Sequence, residues 1–209
     1  VGLNWQSICW SPELRIFCAV SNGDKVITSS DGITWTERTL PGAGNWQSIC
    51  WSPELHMFCA VASNSDKAVT SSDGITWTKR TLPNGNNLSS ICWSPELRLF
   101  CAIAYDTNKV ATSSDGITWT ERTLPSRANW SSICWAPKLR MFYAVAYKSN
   151  KLATSSDGIN WIETSLPSID KFGSIYWAQE LEKFLILTVR GDVDKSVHSD
   201  AYLIGNIDG

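Results

Sequence analysis

The sequence predicts an all-β fold, a five-bladed β-propeller of four-stranded antiparallel blades, and three observations carry that prediction. The stretch Ser-Ser-Asp-Gly-Ile-Thr-Trp at 29–35 returns at 71–77 and 113–119, and again at 155–161 with Asn160 in place of Thr. Asp31, Asp73, Asp115 and Asp157 therefore stand 42 residues apart. Each unit holds four short apolar or alternating runs, and no segment shows helical periodicity over a useful length. Four strands in about 42 residues is the length of a propeller blade rather than of a solenoid coil, and five such units fit 209 residues. The units run approximately over 4–44, 45–86, 87–128, 129–170 and 171–209, within one domain at 1–209.

In the first unit the opening strand is read at 7–11, followed by the turn Pro12-Glu13-Leu14. Residues 15–20 are nearly continuous in apolar side chains, which suits a strand covered on both faces. A polar loop at 21–24 leads to a third run at 25–29. The turn at Asp31-Gly32 then uses a carboxylate that accepts from nearby backbone N–H groups and a glycine free to take φ > 0. Trp35 packs that turn onto the core. In the last run, 35–40, Thr alternates with charged residues as on an exposed outer strand, and Pro41 stops it. The fifth unit departs from the pattern. It opens with Lys171-Phe172, and Ser199-Asp200 echoes the turn with Ala201 for Gly and no Trp, leaving 202–209 for a fourth strand. A terminal repeat that breaks the pattern caps an array or closes a ring.

Composition narrows the function classes. A net charge of −2, a pI of about 5.7 and no run of like charges offer no basic stripe to a phosphate backbone, which argues against nucleic acid. No apolar run reaches transmembrane length, so membrane insertion is not expected, and no leader is visible. The chain begins with Val, as a trimmed chain or part of a longer parent would. A domain of this size buries roughly 70% of its unfolded surface and needs no metal or disulfide for stability. The seven cysteines follow the repeat, with Cys9 and Cys18, Cys50 and Cys59, and Cys92 and Cys101 flanking each Ser-Pro-Glu-Leu, and Cys134 alone. The same positions hold Tyr143, Tyr176 and Leu185 in later units, as a packing site would, so reduced thiols are expected. Three cross-strand disulfides in an oxidising compartment are the alternative.

The turn resembles the Asp-box, the BNR repeat of sialidases and related propellers, whose usual form is S-x-D-x-G-x-T-W; here Asp and Gly are adjacent. The whole unit, with I-C-W-S-P-E-L before the box and R-T-L-P after it, is similar to propeller repeats of phage and bacterial proteins. The resemblance implies that the box joins the third and fourth strands, structural and remote from any active site. Asp31, Gly32 and Trp35, Asp73, Gly74 and Trp77, Asp115, Gly116 and Trp119, and Asp157, Gly158 and Trp161 are then turn-holding residues. Sialidase chemistry would need six blades, three arginines on a carboxylate, a tyrosine nucleophile with a glutamate, and an acid Asp. Here Arg38, Arg80 and Arg122 fall on the outer strand, and Glu13, Glu54 and Glu96 recur within the Pro-Glu-Leu turn. His56 and His198 lack a partner at metal-ligand spacing, and no Gly-rich phosphate loop is present. The expectation is a protein that is not an enzyme, with no catalytic residue, metal or cofactor.

Propeller topology instead gathers a binding face. The loop entering the inner strand and the loop between the second and third strands share one end, bringing together Asn4, Trp5, Asn45, Trp46, Asn129 and Trp130 with Tyr105, Asn108, Tyr147 and Asn150. A flat aromatic beside amides suits a sugar ring, and near-copied units multiply avidity. The leading expectation is a multivalent, lectin-like module for glycans or another protein, outside the cell or on a virion surface. The alternative reading of the same repeats is self-association as a subunit of an extracellular fibre, filament or phage tail, motivated by the incomplete fifth unit. A sialidase-type glycosidase comes third.

Overall fold

The repetition in the sequence becomes repetition in the sheets. The computed structural model describes residues 4–83, 87–188 and 201–204, with 167–171, 188 and 201–204 described in backbone only. One sheet holds β1 (Trp5–Ser11), β2 (Ile16–Ser29), β3 (Thr36–Ser52), β4 (Met57–Ser63), β5 (Lys67–Ser71) and β6 (Thr78–Thr81) in sequence order. A second holds β7 (Leu88–Ser94), β8 (Leu99–Ala104), β9 (Thr107–Ser113) and β10 (Thr120–Ala128), and a third β11 (Trp130–Ala136), β12 (Met141–Ser155), β13 (Ile162–Ala178), β14 (Lys183–Thr188) and β15 (Ala201–Ile204). Every described pairing is antiparallel between neighbours in sequence. The fold is an all-β propeller. Four blades show all four strands, and the fifth shows three among the described residues.

Several strands are longer than the sequence suggests. β3 does not stop at Pro41: its first limb pairs with β2 from Thr28↔Thr36 to Lys25↔Thr39, and its second limb pairs with β4 from Asn45↔Ser63 to Ser52↔Met57. Gly23↔Gly44 and Asn22↔Asn45 carry the ladder across the junction, so one strand is the outer edge of blade one and the inner edge of blade two. β13 makes the same passage from blade four to blade five. The expected loop at 21–24 is likewise absorbed into β2, with a register shift between Gly23 and Lys25 where the chain bends. In blade five, β15 pairs with β14 from Phe184↔Ile204 to Leu187↔Ala201 and is therefore the third strand. Residues 202–204, expected to open the fourth strand at 202–209, thus belong to the third, and His198, Ser199, Asp200 and 205–209 lie outside the described residues.

The core sits between blades. The second strand of each unit is apolar on both faces, so one face meets the preceding blade and the other the following one. Cys18, Val20, Val26 and Leu40 of blade one pack with Trp46, Ile49, Trp51 and Phe58 of blade two in one buried cluster, and blades two to five repeat the arrangement. Hydrogen bonds lock each joint. The amides of Ile49, Ile91, Ile133 and Ile175 donate to the hydroxyls of Ser7, Ser48, Ser90 and Ser132 on the preceding blade, at 3.1–3.2 Å. The indoles of Trp51, Trp93 and Trp135 donate to Glu13, Glu54 and Glu96 at 2.6–2.7 Å. At the fourth joint Lys138 stands where glutamate is needed, and the buried Nε1 of Trp177 has no partner.

The Pro-Glu-Leu turn ends on a residue in the left-handed region: Arg15, His56, Arg98, Arg140 and Glu182 have φ of 47–53°. His56 is thus one member of a turn position, with its amide on the carbonyl of Pro53 at 3.2 Å. All seven cysteines are free, with Cys9↔Cys18, Cys50↔Cys59 and Cys92↔Cys101 directly opposite in the ladders. Burial pushes their thiols up, that of Cys134 to about 12. No helix among the described residues is long and apolar enough to cross a membrane.

Candidate functional site

The two ends of the blades are built differently. At one end Asp31 Oδ1 accepts from the amides of Ile33 and Thr34 at 2.8 and 2.7 Å and from the Ser29 hydroxyl at 2.9 Å, while Ser29 Oγ accepts from the Gly32 amide at 2.9 Å. Asp73, Asp115 and Asp157 repeat the bonds to within about 0.1 Å. The amides of Ile33 and Thr34 hold the Asp31 carboxyl down at about 2. Burial raises that of Asp157, yet the amides of Asn160 and Ile159 bring it down to about 2 as well. Gly32, Gly74, Gly116 and Gly158 take φ of 70–73°, which glycine alone adopts without strain. A Cβ on Gly74 would meet Ile16 Cδ1 of the preceding blade at 2.8 Å, whereas on Gly32 the nearest atom is Phe17 of its own blade at 3.6 Å. Trp77 and Trp119 are buried, with their indoles on the carbonyls of Gly74 and Gly116, and Trp35 and Trp161 are half-buried. Each box Oδ1 is engaged by its own turn. The geometry holds backbone.

The opposite end gathers the residues expected to bind ligand, and corrects their roles. Trp46 and Trp130 are buried between blades, with their indoles donating to Gly23 O at 3.1 Å and Ser126 O at 3.3 Å. Neither ring offers a face to a sugar. Trp5 holds the same register position but is exposed. The asparagines fasten loops: the carbonyls of Asn4, Asn87 and Asn129 accept from the amides of Asn22, Tyr105 and Tyr147. Asn45 Nδ2 donates to Ser63 Oγ at 2.9 Å, and Asn87 Oδ1 accepts from the Asn64 amide of the previous blade. Tyr105, Asn108, Tyr147 and Asn150 are half-exposed on this rim, and Lys148 Nζ stands 5.5 Å from the Tyr147 ring.

A notch of about 130 Å³ opens on this end between blades two and three, lined by Gln47, Ser63, Asn87, Leu88, Ser89 and Tyr105. Gln47 and Ser63 come from blade two, the others from blade three. The notch exists because the inner-strand residue after the Trp/Leu position is Gln47 in blade two but Ser89 in blade three. The small Ser89 donates back to Ile103 O and across to Trp130 O, leaving space above it. The unlike residues at one repeat position, together with Leu88 where units one, two and four have Trp, are the sequence signal for this asymmetry. Among the described residues no group of three His, Cys, Asp or Glu side chains could hold a metal ion. Arg38, Arg80 and Arg122 are half-buried along the outer strands of three successive blades, Arg80 on Thr70 Oγ1 at 3.0 Å.

No protein-family model matches the chain, and no curated protein matches it in sequence. Its likeness to known proteins lies in solved structures. A catalytically inactive variant of virginiamycin B lyase from Staphylococcus aureus, in a structure with quinupristin, superposes with a TM-score of 0.79 at 14% identity, over 98% of this chain and 71% of the other. YCF48 bound to D1 peptide gives 0.63 at 16% identity, over 85% and 59%. The nidogen/laminin complex gives 0.70 at 10% identity, over 88% and 72%. At these identities the likeness shows the fold. It also corrects the expectation that the chain is not an enzyme: virginiamycin B lyase and a streptogramin B lyase, which gives 0.79 at 12% identity, are enzymes on this architecture. An argument from the fold against catalysis therefore fails.

Proposed function

We propose that the chain is a recognition module that takes a segment of another protein on its loop end, seated at the notch between blades two and three. The observation that carries this reading is the meeting of Tyr105 with the polar side chains of Gln47, Asn87 and Ser89 across a blade junction. An aromatic ring beside amides accepts a peptide side chain and its backbone together, and tyrosine is enriched where binding energy concentrates. Propellers of this fold occur in structures with a peptide and with laminin, which supports a polypeptide partner. A carbohydrate is the second reading, favoured by the same ring-and-amide pairing. The stacking face it needs would be Tyr105, since Trp46 and Trp130 are buried.

The test is selection of peptides from a random display library on the immobilised chain, with a glycan array in parallel. Selected peptides should bind saturably, and Tyr105→Ala should weaken them by about tenfold, as loss of an interfacial aromatic worth about 1.4 kcal/mol requires. Trp5→Ala should leave them unchanged. Peptide binding indifferent to Tyr105→Ala would remove the notch from the reading. Glycan binding lost in Tyr105→Ala, with no peptide selected, would put the carbohydrate in its place.

A further inference from the structure

One cross-strand ion pair recurs through the blades and is replaced in one of them. Lys25, Lys67, Lys109 and Lys151 stand 42 residues apart, and diagonal to them on the outer strands stand Glu37, Lys79, Glu121 and Glu163. Lys25 Nζ meets Glu37 at 2.8 Å, Lys151 Nζ meets Glu163 at 3.3 Å, and Lys109 is paired with Glu121. In blade two the acid is replaced by Lys79, so two ammonium groups stand where the other blades have an ion pair. Neither has a carboxylate partner among the described residues. Like charges at neighbouring positions of a sheet repel. The joint lacks a second group as well. Where blade four meets blade three, the Ser126 hydroxyl donates to Glu163 and accepts from Lys151, which closes that joint. Between blades one and two the Ser126 position is Gly42. What remains there is a hollow of about 50 Å³, lined by Pro41, Gly42, Trp46, Lys67, Val69 and Lys79.

We infer that this hollow binds the carboxylate of a small organic anion, which takes the place that glutamate fills in the other blades. The lysines carry the donors for it. Lys67 gives one N–H to the carbonyl of Ala43 at 2.9 Å and keeps two, while Lys79 makes no hydrogen bond among the described residues and keeps three. The floor is apolar, since Trp46 and Val69 are each 1% exposed. A charge-assisted hydrogen bond gains strength against such a floor. The volume suits the class: at about 10–15 Å³ for one water, the hollow takes roughly three or four non-hydrogen atoms, a carboxylate and its first carbon. The facing wall adds charge of the same sign. Arg38 lies in register with Val26, which packs in the cluster shared with blade two, so it stands on the side of blade one that meets the lysines. Glu37 lies on the opposite side of that strand, held by Lys25. At the next two joints Arg80 and Arg122 hold the Arg38 position, with Glu121 and Glu163 on the blade that follows. After Arg38 that position is Lys79.

The probe is acetate, exchanged for chloride at constant ionic strength and about pH 7, where a carboxyl is ionised. It is titrated into the 209-residue chain with the Trp46 indole N–H followed by NMR. That resonance should shift saturably, with a dissociation constant of about 1–10 mM, the range that two charge-assisted hydrogen bonds reach. Lys79→Glu supplies the carboxylate from the chain itself, as the other blades do. It should melt no lower than the parent and bind acetate at least about tenfold more weakly. Lys148→Glu makes the same change of net charge beside Tyr147, away from the hollow, and should leave the acetate titration unchanged. A shift that does not saturate overturns the inference, as does one that Lys148→Glu removes as fully as Lys79→Glu. Inorganic phosphate that saturates the shift where acetate does not would overturn the carboxylate assignment. The inference does not rest on the Tyr105 notch, which lies at another joint. Tyr105→Ala should bind acetate like the parent, so either reading can fail without the other.

Discussion

The box aspartate shows how one side chain can serve a turn and set its response to acid. Asp73 Oδ1 accepts from two amides and a hydroxyl, and no other group in the turn can replace it. Asp73→Ala should cost about 1–2 kcal/mol, read as a lower midpoint in urea with an unchanged slope. The sign of the pH dependence follows from the depressed carboxyls. In the unfolded chain an aspartate titrates near 3.9, while Asp31 and Asp157 titrate at about 2 in the folded one. Their contribution is present in full above the unfolded value and lost as pH falls through the folded one. The melting temperature should therefore hold between pH 7 and about 4 and fall between about 4 and 2. Asp157→Asn keeps a carbonyl acceptor without a titrating proton and should flatten that acid limb. A limb as steep as the parent's would show that other carboxyls set it.

Between blades, the joint is the element that repeats, and one copy is defective. Lys138 pairs with Glu182 on the surface, while Trp177 beneath it is buried with an unanswered N–H. Lys138→Glu should restore the bond that Glu13, Glu54 and Glu96 make. A hydrogen bond to a charged acceptor contributes about 1.5–3 kcal/mol, and the exposed ion pair given up is worth about 0–1. The balance is a gain of about 1 kcal/mol or more, measurable as a higher melting temperature and a blue-shifted Trp177 emission. No gain would mean that the glutamate at this joint cannot reach the indole. The reading of an incomplete fifth unit had this much physical content: a mismatch lies in the joint at Trp177 as well as in the sequence of its box.

At the level of the molecule, what the sequence could and could not reveal follows from who covers whom. The blade architecture was legible because Asp-Gly turns and two-sided apolar strands recur at one spacing. The hydrogen bonds of the Asp-Gly turn were legible because they are local. The Asn-Trp face was not, since Trp5, Trp46 and Trp130 stand in nearly the same local sequence, yet Trp5 is exposed while Trp46 and Trp130 are buried by a neighbouring blade. Position in the array decides exposure. The same fact predicts a gradient of stability: a unit with two neighbours outlasts a unit with one. Native-state hydrogen exchange should find the Ile8 amide opening first and Ile91 among the last; uniform protection would mean that the joints contribute little. The strand pairings described earlier also fix how this chain can be born. Every described ladder joins strands that are neighbours in sequence, and β3 and β13 hand the chain on from one blade to the next. Among the described residues each unit can therefore zip up as it leaves the ribosome, since its ladders need only strands adjacent in sequence. The first blade made is then a ready template for the second, and the chain assembles in the order in which it is read.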